Sequence, residues 1–108
     1  MFIEIWNETP IENRRSFLSG IPLHQWEGTV MFVSMFSHVL PKSKYPKYRL
    51  NKNNVVLITP FEHILEHYGT MDDRLKYTKY CEEKGFHCNW DRLEELKEEL
   101  KQSYINQP

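Results

Sequence analysis

Cysteine is scarce in this chain: 108 residues hold only Cys81 and Cys88. Two thiols are too few for a disulfide framework, so a reduced, cytoplasmic compartment is the expectation. Long apolar runs are also missing, and no stretch approaches membrane-spanning length. The opening MFIEIWNETP puts Glu4 and Glu8 where an export signal needs a positive start and an apolar middle. Net charge is nearly absent, at −1, so no global field marks a polyanion-binding protein. There is no internal repeat, low-complexity tract or linker, and residues 1–108 read as a single domain.

Charge is sorted along the chain instead. Between His38 and Phe61 stand Lys42, Lys44, Lys47, Arg49 and Lys52 with no Asp or Glu, whereas residues 82–99 are dominated by glutamate. A basic segment inside a neutral protein fits a local anion site. The aromatic content of 14% supplies bulky side chains with polar edges for a small core.

Residues 2–6 alternate imperfectly and read as a short strand or extended arm. Ser19-Gly20 lies between short apolar runs, which predicts a hairpin over residues 16–23. The β-branched and aromatic run 29–36 reads as a buried strand delivering His38. Pro41 and Pro46 exclude regular structure, so 41–53 is an ordered loop; residues 54–59, NVVLIT, form a second strand. Thr59-Pro60 then opens a helix over 61–68 that stops at Gly69. Thr70 with Asp73 resembles a capping box for a helix over 71–84, and Asn89 caps another over 90–104 with Leu93, Leu96, Leu100 and Tyr104 on one face. The fold class is α+β.

His63 and His67, four apart on a helix, share a face and can grip one cation. His38 sits where a strand gives way to a loop, and the Asn54 amide is placed to brace the backbone opposite it. An imidazole can take a proton from water, and a divalent ion can offset charge building on a phosphate. Each residue also has a plainer reading: a chance HxxxH spacing, a polar residue at a sheet edge, a turn asparagine, a solvated lysine loop. Tyr45 and Tyr48 either stack on bases or pin the loop. Cys81, His87 and Cys88 make at most half a zinc site and read as ordinary packing, and His24 reads as structural.

His38, Asn54 sixteen residues later, His63 nine further and His67 four beyond resemble the HNH endonuclease core, the ββα-metal finger. The wording SHVLPKSKYPKYRL…NNVVLITPFEH is similar to small HNH proteins of phages and bacteria, over residues 36–67. The resemblance implies a ββα-metal core over 30–68, flanked by the N-terminal hairpin and by a helical cover over 71–104. It implies His38 as general base, Asn54 as its orienting residue, and His63 and His67 as ligands of one divalent ion, Mg²⁺ or Mn²⁺ with Zn²⁺ or Ni²⁺ as alternatives. The expected substrate is DNA, with RNA as the alternative, nicked with low sequence specificity in a bacterial or phage-infected cell. Lys42, Lys44, Lys47, Arg49 and Lys52 would hold its backbone. No membrane partner is expected, and a protein partner or homodimer is left undetermined.

Two departures from the family stand out. Ser37 replaces the Asp or His that many members carry before the base, and the two CxxC pairs of many relatives are missing, so SFLSGIPL reads as a hairpin held by packing. Alternative readings are an HNH-fold nucleic-acid-binding or adaptor protein without strong catalysis, and a small interaction protein whose His63/His67 pair serves structure.

Overall fold

Thr59 sets the helix on which the rest of the arrangement depends. Its side-chain oxygen accepts from the Glu62 amide while Glu62 reaches back to the Thr59 amide, and Pro60 occupies the first helical position. This capping box satisfies two otherwise orphaned donors, and the proline needs none. In the computed structural model, which describes residues 2–41, 43–48 and 51–105, the elements are α1 (Phe2–Glu8), β1 (Phe36–His38), β2 (Val55–Leu57), α2 (Pro60–Tyr68), α3 (Met71–Glu83) and α4 (Trp90–Ile105). Four α-helices and one two-stranded antiparallel sheet make a small α+β fold among the described residues. Among the described residues, no helix is long and apolar enough to cross a membrane.

The sheet is short. Phe36 pairs with Leu57, Ser37 with Val56 and His38 with Val55. Residues 29–35, expected as strand, form turns and a single 3₁₀ turn, Val33–Met35, with Val30 94% exposed. After Gly28, at φ +78°, the Thr29 hydroxyl donates to the Trp26 carbonyl and accepts from the Met31 amide. That local bonding turns the chain, and a three-residue partner strand offers no ladder further upstream. Residues 2–6 are likewise helix rather than strand. Phe2, Ile5 and Trp6 share a helical face, Phe2 stacking on Phe36 at 4.5 Å and Trp6 meeting Phe32 edge-on at 5.6 Å. Aromatic packing decides an element too short for its own periodicity to settle.

The expected hairpin is present as an Arg15–Pro22 bridge closed by Gly20 at φ +80°, a conformation that favours glycine. The Phe17 amide donates to the Leu57 carbonyl at 2.7 Å, which fastens the hairpin to β2. Both closing helices keep their expected caps: Thr70 with Asp73 on α3, and Asn89 accepting from the Arg92 amide on α4. Backbone and hydroxyl donation from Thr70 holds the Asp73 carboxyl below its ordinary value.

Three small clusters form the core. Trp6, Leu23, Met35 and Phe36 lie under α1; Leu18, Val39, Ile58 and Leu93 lie under α4; Leu65, Tyr77, Cys81 and Cys88 join α2 to α3. Leu96 and Leu100 extend the second cluster, so the α4 face read from sequence is the buried one. Both cysteines are buried free thiols. His24 is exposed at the start of a single turn, His24–Trp26, where its carbonyl accepts from the Glu27 amide.

Candidate active site

β1 ends at His38, and the next two residues are locked by Asn54. The Asn54 carbonyl accepts from the Val39 amide at 2.8 Å, its side-chain oxygen accepts from the Leu40 amide at 2.8 Å, and its side-chain nitrogen donates to the Leu40 carbonyl at 3.0 Å. Asn54 is 0% exposed, so these bonds run in a dry environment where leaving any of them unmade is costly. The bracing role expected of this amide is therefore met in geometry.

On α2, His63 and His67 lie on one face with ring centroids 4.9 Å apart. His63 Nδ1 lies 2.7 Å from the Ser34 carbonyl oxygen. A carbonyl can only accept, so Nδ1 carries the proton and Nε2 is left with its lone pair. Glu66 stands between the two histidines in sequence, with its side chain only 9% exposed. Its Oε1 meets Lys97 Nζ at 3.2 Å, and its Oε2 lies 3.4 Å from His67 Nε2 with no hydrogen bond.

His38, His63, His67 and Glu66 line one cavity of about 620 Å³, together with Lys44 and Tyr45 from the loop and Glu94, Lys97 and Lys101 from α4. His38 and the two helix histidines, widely separated in sequence, thus share a pocket. A cavity of about 690 Å³ elsewhere, lined by Trp26, Phe61, Leu65, Tyr77 and Tyr80, has no histidine and is mainly apolar. The charged cavity is the one suited to chemistry.

Of the basic residues expected at this site, Lys44 lines the cavity. Lys47 sits 5.5 Å over the Tyr104 ring, outside the lining. Lys52 turns to α1, pairing with Glu8 at 2.9 Å and Glu4 at 3.6 Å. The hydrogen bond to Glu8 is the main reason its ammonium is held above the ordinary lysine value. Lys52 thus faces carboxylates of α1 that compete with a phosphate for it, and it is not on the cavity wall. Lys42 and Arg49 lie outside the described residues. Tyr45 and Tyr48 pin the loop: both rings meet Tyr104 edge-on, at 5.0 and 5.2 Å, and the Tyr48 hydroxyl donates to the Leu100 carbonyl at 3.2 Å.

Sequence reasoning missed Glu66, Lys97 and Lys101. The i, i+3, i+4 spacing of His63, Glu66 and His67 was readable and puts all three on one helix face. The arrival of α4 beside them was not. Ser37 alternates to the opposite side of β1 from His38, is 2% exposed and is not on the cavity wall.

Among the described residues, no three His, Cys, Asp or Glu side chains converge closely enough to enclose a cation. What is present is two imidazoles on one face and a buried carboxylate oxygen without a hydrogen-bond partner. That donor set fits a divalent ion completing its shell with water or substrate oxygen. Comparison with protein-family models, with curated proteins and with solved structures gives no match.

Proposed function

We propose that the protein is a metal-dependent endonuclease of the HNH type, hydrolysing phosphodiester bonds in DNA. The observation that carries this reading is the meeting of His38 with the His63/His67 pair in one cavity behind the Asn54 clamp. The β1–loop–β2–α2 succession is read as the ββα-metal core, in agreement with the sequence resemblance over residues 36–67.

In this mechanism His38 removes a proton from water as its oxygen attacks phosphorus, which suits an imidazole near neutral pH. Asn54 acts at one remove: by fixing Val39 and Leu40 it fixes the chain that carries His38. His63 and His67 would hold a divalent ion, which when bound supplies positive charge against the phosphate and the leaving oxygen. Lys44 approaches the backbone of the strand, and among the described residues it has no ion pair to compete for it. Contacts of this sort give affinity with little sequence preference. A cytoplasmic setting and nicking of low specificity belong to the same reading.

The decisive experiment incubates supercoiled plasmid with the protein and Mg²⁺, Mn²⁺, Ni²⁺ or Zn²⁺, beside His38→Ala. Nicking by the native chain that disappears in the variant is the expected outcome. Binding of DNA without cleavage under every metal would instead establish the adaptor reading, to which the incomplete protein ligand set lends weight.

A further inference from the structure

Among the described residues, Glu66 is the carboxylate with a buried oxygen that nothing hydrogen-bonds. Its side chain is nine-tenths buried, and one of its oxygens has no hydrogen bond. Burying a carboxylate without satisfying both oxygens is costly, and proteins seldom keep such an arrangement without a counter-charge. The nearest ion-pair group is short of one. Lys97 serves both Glu66 at 3.2 Å and Glu94 at 3.4 Å, so one positive charge answers two negative ones, while Lys101 turns to Glu98.

The orphaned oxygen has one nitrogen beside it, His67 Nε2 at 3.4 Å, and the contact lacks hydrogen-bond geometry. Two donors each about 2.0–2.1 Å from a single tetrahedral ion stand ~3.4 Å apart. The separation is that of neighbouring ligands on one cation. His63 lies on the same helix face, and with its Nδ1 spent on the Ser34 carbonyl the neutral ring keeps Nε2 as a donor to metal. His67, with half of its side chain exposed, has room to turn.

We infer that Glu66 is a direct cation ligand, joining His63 and His67 in a two-histidine, one-carboxylate shell on α2 that closes when His67 turns, since the three donors do not converge as they stand. The inference rests on the metal-dependent reading of this site. It gives the chain a third protein ligand from the helix, where Ser37 faces away and gives none. Lys97 then pairs with the second carboxylate oxygen and competes with the cation for the charge of Glu66.

Isothermal titration of the full chain with Zn²⁺, and separately Mn²⁺, tests the assignment, with thermal melts of each variant with and without metal. Glu66→Gln keeps shape and removes charge; it is expected to weaken binding roughly tenfold or more, in the range of His67→Ala, and to lose the metal-induced rise in Tm. Glu66→His, which restores a donor, is expected to recover Zn²⁺ binding. Lys97→Met is expected to leave affinity equal or higher. Wild-type affinity in a folded Glu66→Gln overturns the inference, and so does a loss of binding in Lys97→Met equal to that in Glu66→Gln, which marks a mere fastening pair. The two readings separate cleanly. A native chain that binds metal through Glu66 yet never nicks plasmid leaves the ligand assignment standing and defeats the nuclease. One that nicks with Glu66→Gln binding metal normally does the reverse.

Discussion

Glu62 and Glu66 lie about one turn apart on α2, both buried, and their surroundings differ in kind. Around Glu62, which is 0% exposed, every oxygen is engaged. Oε1 accepts from the Thr59 amide and the Ser16 hydroxyl, and Oε2 accepts from the Tyr77 hydroxyl at 2.7 Å. These bonds join the hairpin, the helix start and α3 at one point. Around Glu66, one oxygen is matched by a shared lysine and the other by nothing that hydrogen-bonds to it. The same residue type on the same helix thus serves two ends. A fully satisfied buried charge organises a scaffold, whereas a partly satisfied one stores unspent binding capacity on the wall of a cavity.

Separating site from scaffold gives the largest expected effect. His38→Ala should reduce nicking by roughly 10²–10⁴, the usual contribution of a general base, in a variant that a thermal melt shows to be still folded. A fall in stability comparable to the fall in rate would break the division between the two sides of α2. On the scaffold side, Glu62→Ala strands two hydroxyls and a backbone amide in the core and should cost about 3–5 kcal/mol, measured by urea unfolding. In a chain of this size such a loss leaves little folded protein. Glu66→Gln should cost clearly less than Glu62→Ala in the same metal-free assay, because one of its oxygens has no hydrogen bond to lose and the other only a lysine shared with Glu94. Near-equal losses at the two positions would abolish the contrast.

Alkaline pH probes the scaffold in another way. Burial, with the Glu62 carboxylate beside it, holds the Tyr77 hydroxyl far above its ordinary value, and burial with a bond to Cys81 does the same for the Cys88 thiol. The folded state therefore keeps protons that the unfolded chain releases at about pH 9–10, so stability is fully present below that range and falls as pH rises through it. Melts between pH 8 and 11 should show the decline, and Tyr77→Phe should flatten it at some cost at neutral pH. The smallest effect concerns the loop. Lys44→Ala should lower the salt dependence of DNA binding by about one counterion, while Lys52→Ala, already paired with α1, leaves the slope where it was.

These elements were unequally legible in the sequence. The bounds of α2 and α3 and the start of α4 follow from threonine and asparagine caps, a proline at the first position of α2 and Gly69 and Gly85 beyond the ends of α2 and α3, all local chemistry that reads without knowledge of the fold. The run 29–36 and residues 2–6 misled because each is only a few residues long and its state is decided by partners elsewhere, a three-residue strand in one case and aromatic neighbours in the other. At the site, His38, Asn54, His63 and His67 could be found because their order and spacing carry the pattern. Lys97 and Lys101 could not: their positions depend on Leu93 docking against Val39 and Ile58, and helical periodicity says only that α4 has a buried face.

The docking of α4 also has a consequence in time. Ribosomes deliver His38, Asn54, His63 and His67 well before residues 90–105, yet the loop after His38 is pinned through Tyr45 and Tyr48 to Tyr104 and Leu100. One wall of the cavity, with Lys97 and Lys101, arrives with the same helix. The pocket therefore has no finished shape until residues 90–105 have left the exit tunnel and docked.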